Sequence, residues 1–504
     1  MTAKTLMIMG THSNAGKSIL VTALCRIFAQ AGYRVAPFKA QNMALNAGVT
    51  PEGHEIGRAT LAQAEAAGVA PHVDMNPVLL KPEGLGRSQV VLNGRGHTHI
   101  EAHNWLELKT MLWPHITSAL ARLRAHNDLV IIEGAGSPAE INLKAGDIVN
   151  MRVARHVQAP VLLAGDIDRG GVFAALVGTM VLLEPAERAL VKGFIINKFR
   201  GDLNLLGDGL QMLQARAFNT PTLGVIPYLP HIGVAEEDSV ALEEPTRPTV
   251  SENGMIEVAV IRLPRISNFD DFDPLAAEPG VRVRFVERPE TLGQPQAIIL
   301  PGSKMTIPDL IWLRESGLAD RIVALAQAGT PLVGICGGYQ MLGHSLFDPE
   351  GIEAEPGTRL PGLGLLPLQT TFIGDKRTVQ VQATLDAAIG PLAEIRHTPI
   401  RGYEIHMGRS ELDDGAQLQP LCRIGRGDGH PDGSLSADGR VWGTYLHGLF
   451  DNDALRHAWL RSLGWQAAGR SFDRQVAYNR LADHVRSHLD MAAINRIIWG
   501  PDGA

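Results

Sequence analysis

Short, unbroken apolar runs recur along this chain, and most of them end on glycine or on a charged or amide side chain. In the first half they are Thr5 to Met9, Val35 to Phe38, Leu129 to Ile132, Val161 to Ala164, Gly193 to Ile196 and Thr222 to Ile226, with helical stretches such as Ile19 to Ala31 between them. Continuous apolar runs separated by helices predict parallel strands in a sheet covered on both faces. A second series follows: Ile256 to Ile261, Val281 to Phe285, Ala297 to Leu300, the helical run Ile307 to Gln327, Leu332 to Ile335, and a helix from Gln340 onward. The pattern is α/β twice over.

Between the two series, residues 231 to 254 include AEEDSVALEEPTRPTVSENG, which is rich in acids and prolines and poor in large apolar side chains. That composition marks a linker. The expected organisation is a first domain over 1 to 230, the linker, a second domain over 255 to 450, and a C-terminal helical extension over 451 to 504. In the extension Leu455, Trp459, Leu460 and Leu463 recur at helical spacing and read as packing residues. A length of 504 residues agrees, being too great for one hydrophobic core.

Composition narrows the function classes. Hydrophobic residues at 45% and charged residues at 20% describe a globular chain, and no segment reaches the length of a membrane span. The net charge of −7 argues against nonspecific nucleic-acid binding and against an anionic membrane surface. Three scattered cysteines, Cys25, Cys336 and Cys422, exclude a disulfide framework and a cysteine-rich metal site. A cytoplasmic enzyme of small molecules is expected.

Two stretches carry chemistry. The first apolar run passes directly into GTHSNAGKS, residues 10 to 18, and then into a helix. Strand, glycine loop and helix form the setting of a phosphate-binding loop, although the leading Gly10 stands one residue earlier than in the usual spacing. Backbone N–H groups around Gly10, Asn14, Ala15 and Gly16 would cradle phosphates, Lys17 would reach the β- and γ-phosphates, and the Ser18 hydroxyl would ligate Mg²⁺. Polar residues gather where the neighbouring strands should end: Lys39, Gln41 and Asn42; Glu133; Asp166 and Asp168; Asn197 and Lys198. Ligands of open α/β sheets bind beyond those ends, so the clusters point to one site, with Asn197 beside the nucleotide and Glu133 as a second Mg²⁺ ligand.

The second stretch is PLVGICGGYQMLG, residues 331 to 343, where an apolar strand stops at a cysteine between glycines. Glycines there permit a sharp strand-to-helix turn that lifts Cys336 above the sheet, near a helix N-terminus that favours a thiolate and offers an oxyanion hole. Such a nucleophile needs a base. His447, at the end of the aromatic run in VWGTYLHGLFDND, is one candidate, and His406 in RGYEIHMG is its rival. Gly448 and Leu449 follow His447, so no acid stands close behind it and a Cys-His dyad is the economical reading.

Together these segments resemble the cobyric acid synthase family. The resemblance rests on the glycine loop, PFKAQNMALN (37 to 46), IGRATLAQAEAAG (56 to 68), DMNPVLLKP (74 to 82), EGAGSPAEINL (133 to 143), DIDRGGVFA (166 to 174), INKFRGD (196 to 202), LPGSK (300 to 304), GICGGYQMLG, GYEIHMG and TYLHGLFD. It covers nearly the whole chain. It implies a dethiobiotin-synthetase-like P-loop domain followed by a class I glutamine amidotransferase-like domain, using ATP, Mg²⁺ and glutamine to amidate four peripheral carboxylates of adenosylcobyrinic acid a,c-diamide. It further implies Cys336 as glutaminase nucleophile and His447 as its base. Lys39, Gln41, Asn42 and Asn46 form a polar cluster suited to a substrate bearing carboxylates and amides. Two alternatives remain: a sister with the same two domains, cobyrinic acid a,c-diamide synthase, which the AQNMALN segment disfavours, and, from a different class, a nucleotide-dependent partitioning switch, whose signature lysine is replaced by His12 and which needs no cysteine elbow. A third is a plain glutaminase or peptidase with a regulatory nucleotide domain.

Overall fold

The computed structural model describes residues 2–84, 86–101, 105–230, 233–234, 255–425, 429–469 and 471–501. Apart from 233–234, the expected linker lies outside the described residues. The chain forms two compact units, one of Met1–Ala44, Ile56–Asp238 and Asp473–Ala504, the other of Leu45–Glu55 and Ser239–Phe472.

In the first unit six parallel strands lie in the order Thr222–Pro227, Val191–Phe199, Val161–Asp166, Lys4–Gly10, Leu129–Glu133, Val35–Phe38. Lys4–Gly10 is central, with Met7 opposite Val161 on one side and Ile132 on the other. Its side chains alternate between two cores, Met7 and Met9 in one and Leu6 and Ile8 in the other, so the run Leu6 to Met9 is apolar without a break. Gly10, Glu133 and Asp166 end three adjacent strands at one edge, where the strand order reverses and a crevice forms. A smaller sheet of Gln41–Met43, Val78–Gly84, Arg87–Leu92 and Arg95–Glu101 belongs to the same unit.

The second unit has its own sheet, in the order Val281–Val286, Ile256–Ile261, Ala297–Leu300, Leu332–Ile335, Val441–Thr444, Ser434–Leu435, parallel except for the last strand. The helical run after Leu300 is two helices, Thr306–Glu315 and Leu318–Gln327, because Gly317 between them has φ of 77°. Two four-stranded sheets belong to it as well, one mixed, with Ser345–Asp348 parallel to Leu368–Thr371, and one antiparallel, which pairs Arg377–Leu385 with Pro399–His406.

The expected C-terminal extension is divided between the units. Helix Asp453–Ser462 buries Leu455, Trp459 and Leu460 with Trp442 and Phe450 in the second unit, and Leu463 packs against that core. Helices Arg474–Arg486 and Met491–Trp499 instead bury Tyr478, Leu481, Val485, Ile494 and Ile498 against Leu20, Leu24 and Phe28 of the first. Apolar stripes aimed at different cores separate the two parts.

Candidate active sites

The loop after the central strand turns into helix Lys17–Gln30 at Gly16, whose φ of 89° favours glycine, and a Cβ there would collide with the Asn197 amide. Asn197 Nδ2 donates to Ala15 O at 3.0 Å and Lys198 Nζ to Asn14 O at 2.7 Å. Asn197, expected beside the nucleotide, thus braces the loop backbone. Lys17 Nζ donates to the carbonyls of His12 and Gly136 at 3.1 and 3.2 Å, across the mouth of the loop.

Glu133 gathers the polar side chains of this crevice. Its Oε1 accepts from Ser18 Oγ at 2.8 Å and from Lys39 Nζ at 2.9 Å, and its Oε2 accepts from Gln63 Nε2 at 2.5 Å. Burial opposes its charge, but the Lys39 ammonium and the Gln63 and Ser18 hydrogen bonds hold the carboxyl below its ordinary range. A hydroxyl and a carboxylate meeting this closely form a hard oxygen donor pair, which fits Mg²⁺. Gln41 and Asn42 are buried on the short Gln41–Met43 strand beyond Lys39. Asn76 Nδ2 donates to Lys39 O at 3.1 Å. Gln63 and Asn76 were not singled out from the sequence; in IGRATLAQAEAAG the signal is one buried amide among alanines.

Asn46 is placed elsewhere. It lies in the second unit, where its Oδ1 accepts from Asn268 N at 2.6 Å. The motif PFKAQNMALN is therefore shared between the two units at Ala44.

In that second unit, Cys336 stands between strand Leu332–Ile335 and helix Gly337–Met341, with φ 53° and ψ −111°. A side chain other than glycine in that region is strained, as at a nucleophile elbow. The turn is tight because a Cβ on Gly338 would collide with Leu300 O. Cys336 N donates to Thr444 O at 2.8 Å, tying the elbow to the strand that leads to His447.

His447 is buried and the Cys336 side chain is near enough to favour its charged form, while the thiol itself lies 3.6 Å from Ile405 O. Its Nδ1 lies 2.7 Å from Asp271 Oδ2, while Gly448 N donates to Asp271 Oδ1 at 2.8 Å. The expected pair of Cys336 and His447 thus has a carboxylate beside it, placed to orient the imidazole as the acid of a nucleophile-base-acid set would. Burial opposes a charged imidazole, but the Asp271 charge and hydrogen bond, with the Cys336 side chain, push His447 up to about 10. Burial likewise raises Asp271 above its ordinary value, against the pull of His447. His406, the rival base, stacks on Tyr445 at 3.8 Å and is lowered to about 4 by burial, so it stays neutral.

The elbow helix also carries Gln340, whose Nε2 donates to Met407 O at 2.8 Å and whose Oε1 accepts from Thr306 Oγ1 at 2.9 Å. Thr306 begins the helix after LPGSK, and Gly302 of that loop lies against the His447 ring.

Residues 6–241 match a family model described as CobQ/CobB/MinD/ParA nucleotide binding domain, and residues 257–455 match a CobB/CobQ-like glutamine amidotransferase domain. A cobyric acid synthase of Dehalococcoides mccartyi strain CBDB1 is 51% identical over 98% of this chain and 99% of its own. One of Sorangium cellulosum is 53% identical over 99% of both chains, and one of Chloroflexus aggregans 52% identical over 99% of both.

Proposed function

The chain belongs to the cobyric acid synthase family, a family of glutamine-hydrolysing ligases, and we propose that its two sites run one amidation. The acceptors are the b, d, e and g carboxylates of adenosylcobyrinic acid a,c-diamide, and the product is adenosylcobyric acid. The observation that carries this reading is the presence in one chain of a Cys336–His447–Asp271 triad and a Ser18–Glu133–Lys39 cluster at the phosphate loop.

A carboxylate resists amines because its carbonyl carbon is electron-rich. Transfer of the γ-phosphoryl group of ATP to a carboxylate oxygen gives an acyl phosphate and ADP; ammonia then adds to the carbonyl and expels phosphate, leaving the amide. Lys17 and Lys39 hold positive charge where phosphoryl oxygens develop negative charge. Mg²⁺ held by Ser18 and Glu133 would neutralise further phosphate charge there. Gln41 and Asn42 supply amide groups for the acceptor.

Free ammonia is scarce at neutral pH, so the second site makes it. The Cys336 thiolate attacks the glutamine side-chain amide, the His447 imidazolium protonates the leaving nitrogen, and a thioester forms as ammonia departs. Water, deprotonated by the now neutral imidazole, cleaves the thioester to glutamate and regenerates the thiol pair. Asp271 keeps the ring oriented through both steps.

The test is incubation with ATP, Mg²⁺, glutamine and adenosylcobyrinic acid a,c-diamide, followed by mass spectrometry for stepwise acid-to-amide conversion. No conversion of this acceptor, with conversion of cobyrinic acid instead, would transfer the chain to the sister reaction. Cys336→Ala should abolish glutamine-supported amidation and retain amidation with ammonium salts. Lys17→Ala should stop both, and amidation surviving in that variant would contradict the acyl phosphate.

A further inference from the structure

Leu45–Glu55 is a short excursion of the N-terminal half that packs wholly with the glutaminase unit. It turns back on itself, with Thr50 N donating to His54 O at 2.8 Å and Gly53 N to Thr50 O at 3.0 Å. Farther along it is held by Gln380 Nε2 donating to Val49 O at 2.9 Å and by a Lys376–Glu55 ion pair of 2.5 Å.

Its first contact is the informative one. Asn46 and Ala47 pair reciprocally with Asn268: Asn268 N donates to Asn46 Oδ1 at 2.6 Å, and Ala47 N donates to Asn268 Oδ1 at 2.9 Å. Asn268 has φ of 54°, a left-handed conformation that opens the turn Phe269–Phe272, and its carbonyl accepts from Asp271 N at 3.1 Å. Asp271 in turn grips His447 Nδ1 and Gly448 N. Asn46, Asn268, Asp271 and His447 are each 3% exposed or less, so water does not replace any link of this series.

We propose that Asn46 is a positioning residue of the glutaminase, which fixes Asn268 in its left-handed turn and thereby sets the placement of Asp271 against His447. This assigns a residue of the AQNMALN motif to ammonia production rather than to the carboxylate acceptor, and it rests on the glutaminase half of the function proposed above. Asn46 follows Gln41 and Asn42 by only a few residues. The peptide chain itself therefore links the acceptor residues to the geometry of the thiol's base.

The experiment compares Asn46→Ala, Asn46→Asp and Asn268→Gly in the full-length protein. Asn46→Asp keeps an oxygen to accept from Asn268 N, and since Asn46 Nδ2 has no hydrogen-bond partner among the described residues, the change removes no bond seen there. Asn268→Gly keeps the left-handed turn and removes the side chain. Misplacing a base by a fraction of its bond length is costly, so Asn46→Ala and Asn268→Gly should lower kcat for glutamine hydrolysis by about 10²-fold with KM little changed. The ratio of glutamine-supported to ammonium-supported amidation should fall with it, iodoacetamide should alkylate Cys336 more slowly, and Asn46→Asp should recover most of the loss. Equal falls with glutamine and with ammonium would overturn the proposal and return Asn46 to the acceptor site. Unchanged hydrolysis in both Asn46→Ala and Asn268→Gly would overturn it as well. Glutamine hydrolysis is measured without any corrinoid, so an error about the acceptor leaves this outcome readable.

Discussion

Asp271 does for His447 what no neighbour in the chain does. It supplies a charge and a hydrogen-bond acceptor to a ring that burial would otherwise hold neutral. Asp271→Asn should therefore lower glutamine hydrolysis by about 10²- to 10⁴-fold while leaving ammonium-supported amidation in place. In the same variant the His447 titration, followed by NMR of its ring protons, should move from about 10 to below the ordinary 6.5, since burial then acts with less opposition. The sign for stability follows from the raised value: the native state binds the proton more tightly than the unfolded chain. That contribution is complete below about 6.5 and is lost as pH rises through about 10. A urea-unfolding series across that window should show the loss in the native sequence and a smaller one in Asp271→Asn. The acid could not be found by looking beside the base, because it stands 176 residues earlier. What the sequence does contain is NFDDFDP, a cluster of acids among phenylalanines, and only the fold selects which of them meets the imidazole.

Most of the parallel strands were legible because burial on both faces demands an unbroken apolar run, as Leu6 to Met9 illustrates. Their ends were legible too, since Glu133 and Cys336 interrupt the apolar runs where the chain reaches a crevice or a turn. The four-stranded sheets of the second unit were not. In Arg377–Leu385 only Val381, Ala383 and Leu385 are buried, too few to mark a strand by periodicity, and register with Pro399–His406 supplies the rest. The elbow is held by close approach of backbone to backbone. Gly338→Ala would push against the Leu300 carbonyl, and we expect a loss of about 1–3 kcal/mol, read as a lower midpoint in thermal or urea unfolding. Glutaminase turnover should fall further than stability alone accounts for, because helix Gly337–Met341 follows Cys336 directly and carries Gln340.

The assignment of segments to the two units was the least visible feature in the sequence. Composition separates the series at 231–254, yet apolar stripes after residue 472 complete a core that begins at Leu6. Tyr478, Leu481, Val485, Ile494 and Ile498 are each buried there, and each contributes about 1.5–3 kcal/mol by leaving water. Ending the chain at residue 472 should therefore cost the phosphate-loop unit most or all of its marginal stability, which is about 5–15 kcal/mol in a typical domain. Such a truncation should lose ammonium-supported amidation and nucleotide binding by calorimetry while retaining glutamine hydrolysis. Survival of amidation would show that the two helices are dispensable.

This exchange of segments bears on how the gene can be arranged. A break anywhere in 235–254 would yield one polypeptide that carries residues 45–55 of the other's fold and a second that carries residues 473–504 of the first's. Neither product would own all the chain that its compact unit requires. Separate expression of an amide ligase and a glutaminase from such a break would therefore need each partner to lend the other a piece, whereas a single reading frame supplies both without any association step.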